Sequence, residues 1–211
     1  MSTLLAIESA GGSPGVALCI DGQITERSTP QDHNLSGNLI RCAEELLAGK
    51  PIGEVDAFAV NAGPGGFTAI KIGVTLAKTW AHVTGKELIA VGAFRALLHT
   101  VDIEGDWLAA LPARKDAVYW VASWNSEPSL ATKEALFDLV RNKKIALFGA
   151  GAERWRDEID NAFWLDRPWP CPRDVLAVAL EVGKGEHPFG VQPVYVQSPS
   201  VTMSPKNLGG A

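Results

Sequence analysis

Asn61-Ala-Gly-Pro-Gly-Gly-Phe-Thr-Ala-Ile-Lys-Ile-Gly73 is the stretch whose reading decides the fold. The residues before it, Asp56 to Asn61, read as a strand, the glycines as a turn, and the residues from Thr68 as a helix. Gly63, Gly65 and Gly66 leave backbone room where a side chain would clash, Pro64 stiffens the turn, and Thr68 stands where an N-cap would accept a backbone N–H. Small residues ahead of a helix N-terminus can hold an anion, so two glycine motifs need checking. The phosphate loop of nucleotide hydrolases asks for Gly-Lys-Ser/Thr, and Phe67-Thr68 after Gly66 excludes it. The dinucleotide fingerprint is closer, because Gly63-x-Gly65-x-x-Thr68 follows a strand and Glu87 lies about twenty residues on. Pro64 and Thr68 nevertheless stand where that fingerprint wants an unconstrained residue and a third small one. The turn therefore reads either as an anion site or as a structural strand-to-helix junction.

The helix that follows has two apolar faces. Ile70, Val74, Ala77 and Ala81 form one stripe, and Ile72, Leu76 and Trp80 form a second at steps of four. A helix on the surface of a sheet needs only one. The second must be covered by another helix, from this chain or from another one.

Composition bounds the class. The 211 residues are 46% hydrophobic, ample for a buried core in one large or two small domains. No uninterrupted apolar run could span a membrane, and Met1-Ser-Thr leads into a strand without a basic leader, so a cytoplasmic protein is expected. Cys19, Cys42 and Cys171 are odd in number and lack Cys-x-x-Cys spacing, which predicts buried, reduced thiols and no zinc site. A net charge of −5, with basic residues in short groups such as Arg114-Lys115 and Arg141 to Lys144, gives no general attraction to nucleic acid. Any RNA is expected to be bound poorly by this chain alone.

Outward from the central stretch, Leu4 to Ser9 reads as a buried strand, and Gly15 to Ile20 and Gln23 to Ser28 as a hairpin closed by Asp21-Gly22. His33 to Ala48 reads as a helix with Leu35, Leu39, Ala43 and Leu47 in step, Glu87 to Val91 as a strand, and Ala93 to Thr100 as a short helix. Three antiparallel strands followed by helical crossovers give the order of the α/β ribonuclease H-like fold shared by actin, Hsp70 and sugar kinases, the ASKHA class. The second half echoes the first loosely. Trp107 to Leu111 and Ala117 to Trp124 read as strands, Lys133 to Arg141 as a helix, Ile145 to Phe148 as a strand, and Gly149-Ala-Gly151 as a second glycine turn. Trp164 to Arg173, with three prolines around Trp169, reads as a stiff connector, Asp174 to Gly183 as a helix, and Val194 to Val196 as a last strand. From Ser198 a mobile tail is expected. Two subdomains, 1–103 and a reduced 104–211, follow from this reading.

Leu5-Ala-Ile-Glu-Ser, His33, Gly63-Pro-Gly-Gly-Phe-Thr-Ala-Ile-Lys-Ile-Gly, Ala113-Arg, Val118-Tyr-Trp, Gly149-Ala-Gly and Pro193-Val-Tyr resemble, in this order along nearly the whole chain, the bacterial TsaB (YeaZ) family. The resemblance implies a subunit of the machinery that makes threonylcarbamoyl-adenosine beside the tRNA anticodon. Its catalytic relative TsaD carries a His-x-x-x-His metal pair after the strand that follows the second helix. Ala93 and Leu97 stand at those positions here, and neither can ligate a metal. His33, His82, His99 and His187 show no ligand spacing. The wider fold places one Asp in its first strand and another at the second hairpin. Glu8 and Pro112 occupy those positions, which leaves Arg114 without a local carboxylate partner there and argues against independent phosphoryl transfer.

The resemblance thus implies a chain without its own catalytic site or cofactor, pairing with a TsaD-like subunit, with itself when alone, and with a TsaE-like ATPase near the junction. Leu39, Ala43, Ile72, Leu76 and Trp80 are the expected interface contacts, and the turn Gly63, Pro64, Gly65, Gly66, Phe67 and Thr68 shapes a surface or binds an anion. A small ASKHA-type phosphotransferase or a glycoprotease-like hydrolase is the alternative.

Overall fold

The computed structural model describes residues 3–114 and 116–196. The expected tail from Ser198 and the Lys115 member of one basic group lie outside the described residues.

The first sheet holds β1 (Thr3–Glu8), β2 (Gly15–Ile20), β3 (Gln23–Ser28), β4 (Ala57–Gly63) and β5 (Glu87–Gly92) in the order β3-β2-β1-β4-β5. β1, β2 and β3 are antiparallel, while β4 and β5 join parallel to β1 through α1 (Leu35–Leu47) and α2 (Phe67–Thr84). Asp21 and Gly22 both take positive φ in the hairpin, as a two-residue turn between right-twisted strands requires. The second sheet holds β6 (Trp107–Arg114), β7 (Ala117–Ala122), β8 (Asn125–Thr132), β9 (Ile145–Phe148) and β10 (Ala162–Trp164). Its order, β8-β7-β6-β9-β10, repeats that of the first, three antiparallel strands followed by two parallel ones. The second half is therefore a full five-stranded repeat, and the ribonuclease H-like, ASKHA-type fold is present in duplicate. β8 and β10 complete it.

Alternation along the strands sorts side chains to opposite faces. Leu5, Ile7, Val16, Leu18, Phe58 and Val60 face α1 and α2, whereas Leu4, Ala6, Ala17, Cys19, Ala57 and Ala59 face α6 (Pro172–Val182). In the second sheet Leu108, Ala110, Val118 and Leu147 pack on α4 (Lys133–Val140) and on Ala152 of α5 (Ala150–Glu153). Ala109, Leu111, Val121 and Phe148 pack on Ala93, Phe94 and Leu97 of α3 (Ala93–Leu98). The two halves thus exchange cover: α3 from the first half packs on the second sheet, and α6 from the second half packs on the first.

Several expected boundaries shift. The N-cap of α2 is Gly66, extended at φ −61 and ψ 115, so Thr68 lies inside the helix and caps nothing. α6 begins at Pro172 because Cys171 is its cap, with proline in the first turn, where its missing N–H has no partner to lose. Val194 to Val196 form no strand. A single bond from the Val194 N–H to the Ala62 carbonyl (2.7 Å) lays that segment beside the end of β4. No helix among the described residues is long and apolar enough to cross a membrane.

Candidate functional site: the glycine turn and the outer face of α2

β4 ends in a cis peptide between Gly63 and Pro64, and the turn it makes is closed from within. Asn61 and Glu8, both fully buried, anchor it. Glu8 Oε1 accepts from the Ala10 N–H (2.6 Å) and the Gly11 N–H (3.2 Å), and Oε2 accepts from Asn61 Nδ2 (2.6 Å). The Asn61 side-chain oxygen Oδ1 accepts in turn from the Gly63 N–H (2.8 Å). One carboxyl thereby organises two loops, the β1–β2 loop and the glycine turn. Burial pushes the Glu8 carboxyl up to about 7, outweighing the Asn61, Ala10 and Gly11 hydrogen bonds that pull it down, with a smaller upward push from Asp174.

The glycines have packing reasons. The Gly66 N–H donates to the Ala10 carbonyl (2.9 Å), and a Cβ at Gly65 would stand 2.6 Å from that oxygen. Gly73 lets α2 lie directly on Ser9, whose hydroxyl donates to the Ala69 carbonyl at 2.9 Å. The N–H groups of Gly63 and Gly66 are held by Asn61 and Ala10.

The fold implies a nucleotide in the cleft between the sheets, and the residues there do not fit one. Glu8 is enclosed by its own loop and Pro112 has no carboxylate. The Trp169 indole rests on Gly11 and Gly12, where a Cβ on Gly12 would come within 2.8 Å of Trp169 Cδ1. Ala93 and Leu97 lie buried in the apolar core of α3 and offer no donor atom. Of the four histidines only His82 and His187 share a neighbour. His99 faces Glu181 at 3.4 Å, His82 and His187 flank the Phe189 ring at 4.9 and 5.4 Å, and His33 is exposed. Among the described residues no group of three His, Cys, Asp or Glu is placed to hold a metal.

Cys19 and Cys42 are buried and Cys171 is half-buried; all three are free. Cys171 is the helix cap, its N–H donating to the Asp174 carboxylate at 2.8 Å, and desolvation pushes its thiol up to about 11. It is expected to alkylate with iodoacetamide at neutral pH roughly a hundredfold more slowly than a free thiol in a peptide. A rate within a factor of three of the peptide's would show that the cap is open in solution.

The outer face of α2 is where the two stripes separate. Ile70, Val74, Ala77 and Ala81 are buried against the sheet. Ile72, Leu76 and Trp80 are half-exposed, packed at the rim of the same core. On α1, Leu39 and Ala43 point inward at 0% and 2% exposure, which corrects their expected place as outward contacts: they are the floor of this face. Ile40, at 38% exposure, stands outward in their place and was missed because it lies beside the regular stripe. Two shallow grooves flank the rim. One, of about 380 Å³, runs along Thr68, Ile72, Thr75 and Leu76, and the other, of about 330 Å³, lies between Ile40, Ala43, Leu47 and Trp80. At the helix start Phe67 is 40% exposed, with Tyr195 at 5.3 Å and Lys71 3.9 Å over its ring.

Residues 24–142, more than half of the chain, match the family described as tRNA N6-adenosine threonylcarbamoyltransferase, TsaD. The chain is 26% identical over 225 aligned residues to the tRNA threonylcarbamoyladenosine biosynthesis protein TsaB of Escherichia coli K12, covering 92% of this chain and 94% of that one. It is 28% identical over 126 residues to the TsaB protein of Haemophilus influenzae, covering 56% and 52% of the two chains. Among solved structures, YeaZ from Pseudomonas aeruginosa superposes with a TM-score of 0.75 at 22% identity over 92% of this chain and all of the other. A second P. aeruginosa structure, an uncharacterized protein with similarity to peptidase YeaZ, gives 0.77 at 24% identity over 93% of this chain and all of the other. The family match, the near full-length likeness to TsaB and the shared fold agree, and the chain belongs to the threonylcarbamoyltransferase family as a member of its TsaB (YeaZ) branch.

Proposed function

We propose that this chain takes part in tRNA threonylcarbamoyladenosine biosynthesis as a partner subunit that supports threonylcarbamoyl transfer by a TsaD-type catalytic subunit and has no catalytic site of its own. The observation that carries this reading is the outer face of α2, where Ile72, Leu76 and Trp80 remain half-exposed because α1 only flanks them. Completing the burial of three such side chains contributes at most roughly 1 to 3 kcal/mol each before ordering costs, so they act as the centre of a larger contact. The same face serves a homodimer when the chain is alone. A TsaE-like ATPase meets the assembly near the glycine turn, tRNA is contacted indirectly, and the complex is cytoplasmic. The subdomain division falls near residue 103, with α6 returning to the first sheet.

Size-exclusion chromatography with light scattering, on the chain alone and mixed with the TsaD protein of the same organism, tests this reading. A stable mixed complex is expected, with threonylcarbamoyl transfer only when both chains are present. Leu76→Glu is expected to abolish pairing while leaving the circular dichroism spectrum and melting temperature of the monomer essentially unchanged. An unaltered oligomeric state in that variant would reject the face, and ATP turnover by this chain alone would restore the phosphotransferase alternative.

A further inference from the structure

We propose that residues 165–171 form a latch across the cleft between the two sheets, with the Trp169 indole as its bolt, and that this latch fixes the chain at a single closure. The segment is fastened to the second sheet by its backbone. The Leu165 N–H donates to the Leu147 carbonyl (3.0 Å), and the Gly149 and Ala150 N–H groups donate to the carbonyls of Arg167 (3.1 Å) and Pro168 (2.8 Å). Its side chains grip the other half. Arg167 Nη2 lies 2.7 Å from the Asp174 carboxylate on α6, which is packed on the first sheet, and Arg167 Nε donates to the Leu97 carbonyl of α3 at 2.9 Å.

Trp169 completes the grip by resting on Gly11 and Gly12 of the β1–β2 loop. Both glycines lack the Cβ that would push the ring away, and the loop beneath is held flat by the Glu8 carboxyl. At the same junction the two sheets meet through the apolar face of α3, and Leu165 and Trp169 pack against that cluster too. Without this segment α3 would lose a neighbour that ties it to the β1–β2 loop, and the halves would be freer to rock. The latch supplies that tie, because Trp169 touches both the α3 cluster and the β1–β2 loop of the first sheet.

The test is a distance measurement on the full chain, by double electron–electron resonance between labels on noncanonical residues at the exposed positions Arg41 on α1 and Glu134 on α4. The native chain is expected to give one narrow distance distribution. Trp169→Ala is expected to broaden it and move its centre to longer distance, and Trp169→Phe to restore most of the native width. A native distribution in Trp169→Ala overturns the proposal. Should that variant fail to fold, Gly12→Ser keeps the indole and inserts a Cβ against it, with the same broadening expected. An unchanged distribution there overturns the proposal equally.

Discussion

Gly149→Ala is expected to remove about 4 kcal/mol of stability, close to 10 °C in melting temperature for a chain of this size. Gly149 caps α5 at φ 87 and ψ 139, a backbone region that side chains rarely enter. Its missing Cβ would overlap the Ala110 carbonyl oxygen and lie 2.9 Å from the carbon that bears it. Ala110 is in the middle of β6, paired to β7 and buried, so it has nowhere to retreat. Strain and overlap therefore add. Urea unfolding of the variant measures the loss, and a value under about 1 kcal/mol would mean that the turn does not hold this conformation.

Glu8 governs the second large effect, which depends on pH. In the unfolded chain its carboxyl ionises near the ordinary 4.5, whereas in the fold burial holds the proton up to about 7. Between those values unfolding releases a proton, so the contribution of Glu8 is complete below pH 4.5 and is lost as pH rises through 7. About 3 kcal/mol should disappear across that window. Glu8→Gln carries no such proton and should flatten this part of the profile. It should also lower stability at pH 5, because its amide nitrogen faces Asn61 Nδ2 where an acceptor is needed. Denaturation at pH 5 and pH 8 for both proteins decides the matter; equal slopes would mean that Glu8 is ionised throughout.

The sequence made the centre of the fold legible because local rules act there without competition. The glycine turn, the apolar run of β1, the Asp21-Gly22 hairpin and the double stripe of α2 each carry their own signal. What escaped reading depended on distant partners. β8 is polar, contains Pro128 and lies at a sheet edge, so its hydrogen bonds to β7 define it more than its side chains do. β10 is three residues long, too short for any period to show. In the candidate site the α1 stripe was visible, and all of it, Leu35, Leu39, Ala43 and Leu47, turns inward onto the sheet, while Ile40 beside it stays exposed. Trp169 could be read only as part of a stiff connector, since its contact lies on glycines near the opposite end of the chain.

The return of α6 to the first sheet has a consequence for synthesis. Leu4, Ala6, Ala17, Cys19, Ala57 and Ala59 present an apolar face that, Ala96 of α3 apart, stays uncovered until Pro172–Val182 has left the ribosome. At roughly 5 to 20 residues per second, about eighty residues separate β5 from α6, so the nascent first sheet stays open for roughly 4 to 16 s. A chain stopped before residue 172 would carry that uncovered sheet permanently, making premature termination late in the message a route to aggregation and not to a shortened working subunit.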